Sequence, residues 1–492
     1  MHRLLPHLPT PGALRPFFIT LTLGLAVSGC APWAAQTAAP ATPTARDAQA
    51  ASPVPAQWSV ALAASGPQAD ADWWRGFDDA RLTALVDAAL AHNLELRAAA
   101  INLERARAQR ALTAAAGEPG LGLGARAGRN RSGGRSASSL GLALDASWEA
   151  DLFGANAAAL AAADADLQAT ASTLQATRLA IAAEAALAYL QWQGARAQHA
   201  GSTRSLQSQQ QTLALVLQRQ QSGLASGLEV EQARSAVLQL QARLDALQLA
   251  QTQALHGLAL LLGQAPGAPT GVLAQLDTTG TPRILQAPRL PALAQPAELL
   301  QRRYDLQAAG LRIQAQLATL AQREAERRPQ LRLSGNLALQ AASWSALGGS
   351  GALLAGLAAA IDWPLLDGGA GAARVQAQQA ALATARNDWQ AAVLGAVRDV
   401  EDALAALTTA GARAATLQDA ARSADEARRL ARIGYEGGVA DFLSLLDAER
   451  SALSAADALL SARVDLAASH VRLYKALGGH WNPDPDARST RP

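Results

Sequence analysis

The residue types that carry out catalysis are scattered along this chain. Its seven histidines are widely spaced, and two of them, His2 and His7, lie close to the amino terminus. The sequence contains no His–Cys cluster, phosphate-binding glycine loop or Gly-x-Ser-x-Gly elbow. This pattern disfavours an enzyme. One chemically suggestive feature is the lone cysteine, Cys30.

Cys30 stands where an export signal ends. Residues 1–29 combine arginines with a short apolar stretch and end in small residues, which is typical of a signal peptide. The Val-Ser-Gly-Cys sequence at 27–30 resembles the bacterial lipoprotein cleavage box, in which the cysteine is acylated and becomes the first mature residue. The resemblance implies N-acyl and S-diacylglycerol groups on Cys30 and no other cofactor. The alternative is a chance buried cysteine.

Composition narrows the class of protein. Hydrophobic residues make up 50% of the chain and aromatic residues only 4%, so alanine and leucine supply the apolar content. Such a composition favours helices that pack closely through small side chains. The 42 basic and 40 acidic residues are interspersed, with a formal net charge of +2. No basic tract suits nucleic acid, so we expect none as a partner.

The chain repeats itself after 210 to 215 residues. Pro119 is echoed by Pro329, and Trp148 by Trp363. Each copy is predicted to contain a helix, two strands, a long helix and a further helix, as expected of an internal duplication. The predicted divisions are a signal peptide (1–29), an acylated leader (30–71), a first repeat (72–265), a linker (266–294), a second repeat (295–481) and a C-terminal tail (482–492).

Each repeat holds two runs that alternate between apolar and polar residues. The strands are predicted at about 119–131 and 138–152, and at about 329–343 and 352–366, with Gly-Ser-rich turns over 132–139 and 345–352. Strands of roughly ten residues with one apolar face are typical of membrane barrels. A soluble sheet covered by helices is the alternative.

Proline is absent over two long stretches. None occurs from Ala155 to Ala265 or from Leu365 to Asn482, and only glycine clusters at 222–227 and 434–438 interrupt them. Each stretch therefore predicts one helix of roughly 65 residues followed by one of roughly 35. A helix of the longer kind reaches on the order of 100 Å. Apolar residues at heptad spacing predict coiled-coil packing.

Four strands cannot close a barrel, because the smallest bacterial barrels have eight. An open sheet edge in lipid would leave backbone groups unsatisfied at several kcal/mol each. Strands that enter a membrane therefore require at least two chains.

Motifs along most of the chain resemble the outer membrane factor family of TolC-, OprM- and NodT-like efflux channels. They include Trp73-Trp74, Trp148-Glu149-Ala150-Asp151-Leu152-Phe153-Gly154, Asp362-Trp363-Pro364-Leu365-Leu366-Asp367-Gly368-Gly369 and Leu473-Tyr474-Lys475-Ala476-Leu477-Gly478-Gly479. The resemblance implies a mainly α protein with a membrane β-barrel, in which a homotrimer forms a 12-stranded barrel continued by a periplasmic α-helical tunnel. It also implies a lipid-anchored protein in contact with outer membrane lipid, whose partners are a periplasmic adaptor and an inner-membrane pump of the resistance-nodulation-division (RND) or ABC type.

The same resemblance places a periplasmic gate after the second glycine break. Leu443 falls on a leucine constriction, Asp447 on an acidic ring and Tyr435 on a closing tyrosine, while the first-repeat equivalents are Leu228 and Gln232. Three leucines can plug a narrow tube, and three crowded aspartates repel one another and attract cations. The alternative is a coiled-coil knob at Leu443 and a solvated Asp447.

Two other functions stay open at the level of sequence. A type I secretion channel would export protein through the same architecture, in place of small molecules. A structural coiled-coil lipoprotein would have no pore.

Overall fold

The computed structural model describes residues 55–59, 72–276, 284–285, 296, 302–347, 349 and 351–479. The predicted signal peptide, Cys30 and the C-terminal tail lie outside these residues, as does most of the leader and much of the linker. The chain divides into two units after Ala41, and the described helices and strands all belong to the second.

Among the described residues, both copies have the order helix, two strands, long helix and further helix, and the first copy has one more helix before these. The first contains α1 (Ala80–His92), α2 (Leu94–Ala115), β1 (Gly120–Ser132), β2 (Arg135–Ala150), α3 (Ala155–Gln221) and α4 (Gly227–Leu261). The second contains α5 (Tyr304–Ala325), β3 (Gln330–Ala341), β4 (Leu353–Asp362), α6 (Ala370–Glu436) and α7 (Phe442–Ala476). Both α3 and α6 have 67 residues, and both α4 and α7 have 35. The duplication and the helix lengths predicted from the sequence are confirmed.

Local backbone chemistry fixes where the long helices begin. Gly154 and Gly369 precede α3 and α6 with φ of 79° and 89°, a left-handed conformation that glycine adopts without strain. Ser226 and Asp441 precede α4 and α7, and each side chain accepts the backbone N–H three residues further on. Each repeat therefore starts its helices in a similar way. Among the described residues, no helix contains an apolar stretch long enough to cross a membrane.

The tryptophan pair before α1 anchors an apolar cluster. Trp73 and Trp74 are each 3% exposed. The ring of Trp73 stacks on that of Tyr474 at 5.4 Å and meets Trp74 edge-on at 5.7 Å. Side chains of α1, the middle of α3 and the carboxyl ends of α4 and α7 complete the cluster. The two repeats therefore share one core at this level.

The strands form one antiparallel sheet in the order β1-β2-β3-β4. The predicted first turn, 132–139, is too long, because Gly133 and Gly134 have φ of 56° and 80° and make a two-residue turn. Residues 136–139 instead pair with β1. The second hairpin has a longer connection, which contains a 3-10 turn at Trp344–Ala346.

Asn93 interrupts the helical segment that precedes the strands of the first copy, between α1 and α2. The Asn93 side chain accepts the backbone N–H groups of Glu95 and Leu96, and its amide donates to the carbonyl of Leu261 at 3.0 Å. Arg303, at the equivalent position before α5, donates to the carbonyl of Ala476 at 3.3 Å. In each copy, a hydrogen bond therefore joins the carboxyl end of the last helix to the start of a shorter helix.

Asn93→Ala tests this junction. The change removes a helix cap, worth about 1 kcal/mol, and leaves the Leu261 carbonyl without its donor, which costs about 1–3 kcal/mol. We expect the thermal unfolding midpoint of the detergent-solubilised protein to fall clearly. Asn93→Asp keeps the cap and loses only the donor, so its unfolding midpoint should fall less than that of Asn93→Ala. Equal midpoints for the wild type and Asn93→Ala would contradict the role of the junction.

Candidate functional site

The register of the sheet separates an apolar face from a polar face. Directly opposed residues of antiparallel strands share a face, and Leu144 of β2 lies between Leu123 of β1 and Leu337 of β3. The next residue, Asp145, lies on the other face and accepts a hydrogen bond from Asn336 at 2.7 Å. The larger apolar-face side chains are Leu121, Leu123, Leu140, Leu142, Leu144, Trp148, Leu331, Leu333, Leu337, Leu339, Leu353, Leu357 and Ile361.

The apolar face is left uncovered by the described part of the chain. Leu121, Leu123 and Leu357 are 70%, 72% and 89% exposed. A contiguous apolar surface of this kind marks contact with a membrane or with another chain. The arrangement disfavours the soluble sheet covered by helices.

Aromatic side chains flank this face at two levels. Trp148, Phe153 and Trp363 lie near the helical end of the sheet, and Trp344 lies three residues beyond Ala341, in the connection of the second hairpin. The two levels are separated by roughly ten residues of strand, or ~33 Å. At the ~40° tilt of barrel strands this spans a height of about 25 Å, the height of the apolar band of outer-membrane barrels.

The predicted gate residues Leu443 and Asp447 lie four residues apart near the start of α7, so they share one helix face. Leu443 is 61% exposed, and Asp447 is also exposed. In the first copy Leu228 is 69% exposed and Gln232 is half-buried. The structure therefore brings Leu443 and Asp447 together on a surface that another chain can contact.

Tyr435 does not join that surface. It is 3% exposed and packs edge-on against Phe442, with ring centroids 5.8 Å apart. The guanidinium of Arg219, from the end of α3, lies 4.4 Å from the Tyr435 ring and donates to the carbonyl of Glu436 at 3.1 Å. The end of α3, the start of α4, the end of α6 and the start of α7 pack into one cluster, which we call the tip. Tyr435 belongs to the core of the tip, where it joins α3 to α6.

Asp441 sets the start of α7 beside these residues. Hydrogen bonds from the side chain and backbone of Ser444 lower the pKa of Asp441 below its ordinary 3.8. A depressed carboxyl pKa means that the cap stabilises the helix above that ordinary value and is lost as the pH falls through the folded value. The tip is therefore fully capped at neutral pH.

An ion pair near the tip, with a buried carboxylate, was not predicted from the sequence. Arg432 of α6 donates to Glu449 of α7 at 3.0 Å and to Thr212 of α3 at 3.3 Å, and it also bonds Ser208. The side chain of Glu449 is 4% exposed, and its second oxygen has no hydrogen-bond partner among the described residues. The available signal was an acidic residue on the apolar stripe of α7, between Leu445 and Ala452. The pair ties together three helices, and Glu449 lines a groove of about 1540 Å³.

The described ranges contain no group of three histidine, cysteine, aspartate or glutamate side chains placed to hold a metal ion.

Comparison with known proteins matches both copies. A family model described as outer membrane efflux protein matches residues 85–264 and 296–479. Outer membrane protein OprJ of Pseudomonas aeruginosa is 33% identical over 444 residues, covering 88% of this chain and 91% of OprJ. The probable efflux pump outer membrane protein TtgC of Pseudomonas putida is 29% identical over 447 residues, covering 87% and 90%. The solved structure of the outer-membrane channel OprN superposes with a TM-score of 0.79 at 32% identity, covering 87% of this chain and 98% of that one.

Arg432→Gln tests the buried pair. Glu449 would remain buried without its cation, which costs about 3 kcal/mol, so we expect a clearly lower thermal unfolding midpoint. Arg429→Gln is the matched control, because Arg429 pairs with Glu426 on the same helix while both side chains are more than half exposed. Equal effects of the two substitutions would show that the buried pair does not stabilise the tip.

Proposed function

This chain belongs to the outer membrane efflux protein family, and we propose that three copies of it form one channel of a tripartite efflux system. The names of its relatives support a channel in the outer membrane over an enzyme, and efflux over protein secretion. The single observation that carries the proposal is the two-faced sheet with open edges. A sheet of this kind suits a barrel wall, with its apolar side toward lipid and its polar side toward an aqueous lumen.

Closure of the barrel requires other copies. Within the described residues, β1 pairs only with β2 and β4 only with β3, so each outer strand has one unpaired side. Hydrocarbon does not satisfy those backbone groups. In a trimer, β1 of one copy pairs with β4 of the next and closes 12 strands, the number that the family resemblance implies.

The long helices extend the barrel into a tunnel. At 67 residues, α3 and α6 each reach on the order of 100 Å, far beyond the thickness of a bilayer. We propose that the tunnel docks on a periplasmic adaptor and an inner-membrane pump of the RND or ABC type. The naming of relatives as efflux pump components supports these partners.

Acylation of Cys30 is part of the same proposal. The Val-Ser-Gly-Cys sequence at 27–30 supports it. We expect mass spectrometry of the purified protein to show a chain that begins at Cys30 and carries lipid. Cys30→Ser should prevent both the lipid and the cleavage. An unmodified amino terminus in the wild type would contradict the proposed lipid anchor.

Substitutions at the tip test the proposed channel function. We propose that Leu443 and Asp447 form a constriction, since both lie on the exposed face of α7. In a Gram-negative host without its own channel, Asp447→Ala should make cells severalfold more sensitive to a large antibiotic that normally crosses the outer membrane poorly. The combined change with Leu443→Ala should increase the effect.

The control is Asp419→Ala, an acidic residue on α6 whose side chain is 75% exposed. It should leave sensitivity unchanged. Trimer levels are compared on gels as heat-modifiable bands. A variant with less protein in the membrane is then not mistaken for one with a closed channel. Unchanged sensitivity of both tip variants at normal trimer levels would remove these residues from the gate.

A further inference from the structure

We propose that Arg129 and Arg131 form a binding site for the phosphate groups of lipids in the outer leaflet of the membrane. The site lies on β1, next to the hairpin turn. The inference rests on the proposed function, because it needs the apolar face of the sheet to contact lipid.

Strand register places both arginines on the lipid-facing side. Arg129 lies opposite Ser138, and Arg131 opposite Ser136. They continue the alternate positions of β1 that begin with Leu121 and Leu123, and so share the apolar face. The last apolar pair on this face is Ala127 with Leu140. Arg129 and Arg131 therefore lie one and two steps beyond the apolar band, or ~7 and ~13 Å along the strand.

The site lies at the end of the sheet away from the helices. α2 ends at Ala115, just before β1, and α3 begins at Ala155, just after β2. The Gly133–Gly134 turn is therefore at the opposite end, which faces the exterior if the helices extend into the periplasm. Trp344 lies at a similar level in the second hairpin and is 78% exposed, as expected of tryptophan at a membrane interface.

In the part of the chain that the structure describes, neither arginine has an acidic partner. Arg129 and Arg131 are exposed, and no carboxylate of the described residues forms an ion pair with either. The nearest acid on β2, Asp145, lies on the polar face and is bonded to Asn336. The directly opposed residues are serines, whose hydroxyls are further donors.

The chemistry of the pair suits phosphate. Guanidinium groups bind phosphate oxygens in a bidentate manner, and alternate residues of one strand lie ~6.6 Å apart on one face. Two such groups at headgroup level, beside serine hydroxyls, can hold one phosphate each or share a diphosphorylated headgroup. The connection of the second hairpin, 342–352, contains no charged residue, so the site would occur once per copy.

Arg126 provides the matched control. It lies on the same strand opposite Gly141, and so faces the polar side of the sheet. Loss of Arg126 removes the same charge from the lumen without altering the lipid-facing surface.

The test is native mass spectrometry of the full-length purified protein with a diphosphorylated glucosamine-based lipid or the same lipid after dephosphorylation. The wild type should retain the phosphorylated lipid preferentially. Arg129→Gln/Arg131→Gln should weaken its retention about thirtyfold, since each arginine near an anionic lipid surface contributes about 1 kcal/mol and about 1.4 kcal/mol corresponds to a factor of ten. Arg126→Gln should retain it like the wild type.

Equal retention by the double variant and the wild type would overturn the site, as would equal retention of the dephosphorylated lipid. Displacement of the lipid by millimolar inorganic phosphate would show that the arginines bind free phosphate instead, and would also overturn it. A wild-type protein that forms no membrane trimer would refute the proposed function, and this inference with it. A stable trimer that binds both lipids equally would refute the inference alone.

Discussion

The backbone of the outer strands sets the main constraint on this protein. Each N–H and C=O group that faces hydrocarbon without a partner costs several kcal/mol, and β1 and β4 each have one unpaired side in the described chain. The same four strands present an apolar face that the helices leave exposed. Lipid can cover the apolar face, but it cannot satisfy the edges. In the proposed trimer, other copies of the chain pair with those edges.

The two copies begin and end their helices in the same way, but they differ in sequence at the tip. The long helices of both copies start after left-handed glycines, and their last helices end against a side chain at the equivalent position, Asn93 or Arg303. The tips differ, because Asp447 stands where the first copy has Gln232. An acidic ring would therefore carry three carboxylates per trimer, and only the second copy would supply its charge.

Sequence patterns predicted the regular elements well and the contacts between them poorly. The absence of proline predicted α3 and α6, because one proline would break such a helix. A Gly-Ser-rich turn was predicted over 132–139, yet the turn needs only Gly133 and Gly134. The contacts of Tyr435 with Phe442 and Arg219 were not predicted from the sequence. The Arg432–Glu449 pair joins residues on separate helices, and helical periodicity contains no information on such a contact.

Single-channel conductance of the purified full-length protein in a planar bilayer, together with its mass in detergent, tests most directly whether these strands build a shared barrel. The account predicts a trimer with a small, cation-selective conductance that is closed most of the time. A monomer without conductance would contradict it, because the open edges of β1 and β4 would then have no partner strand.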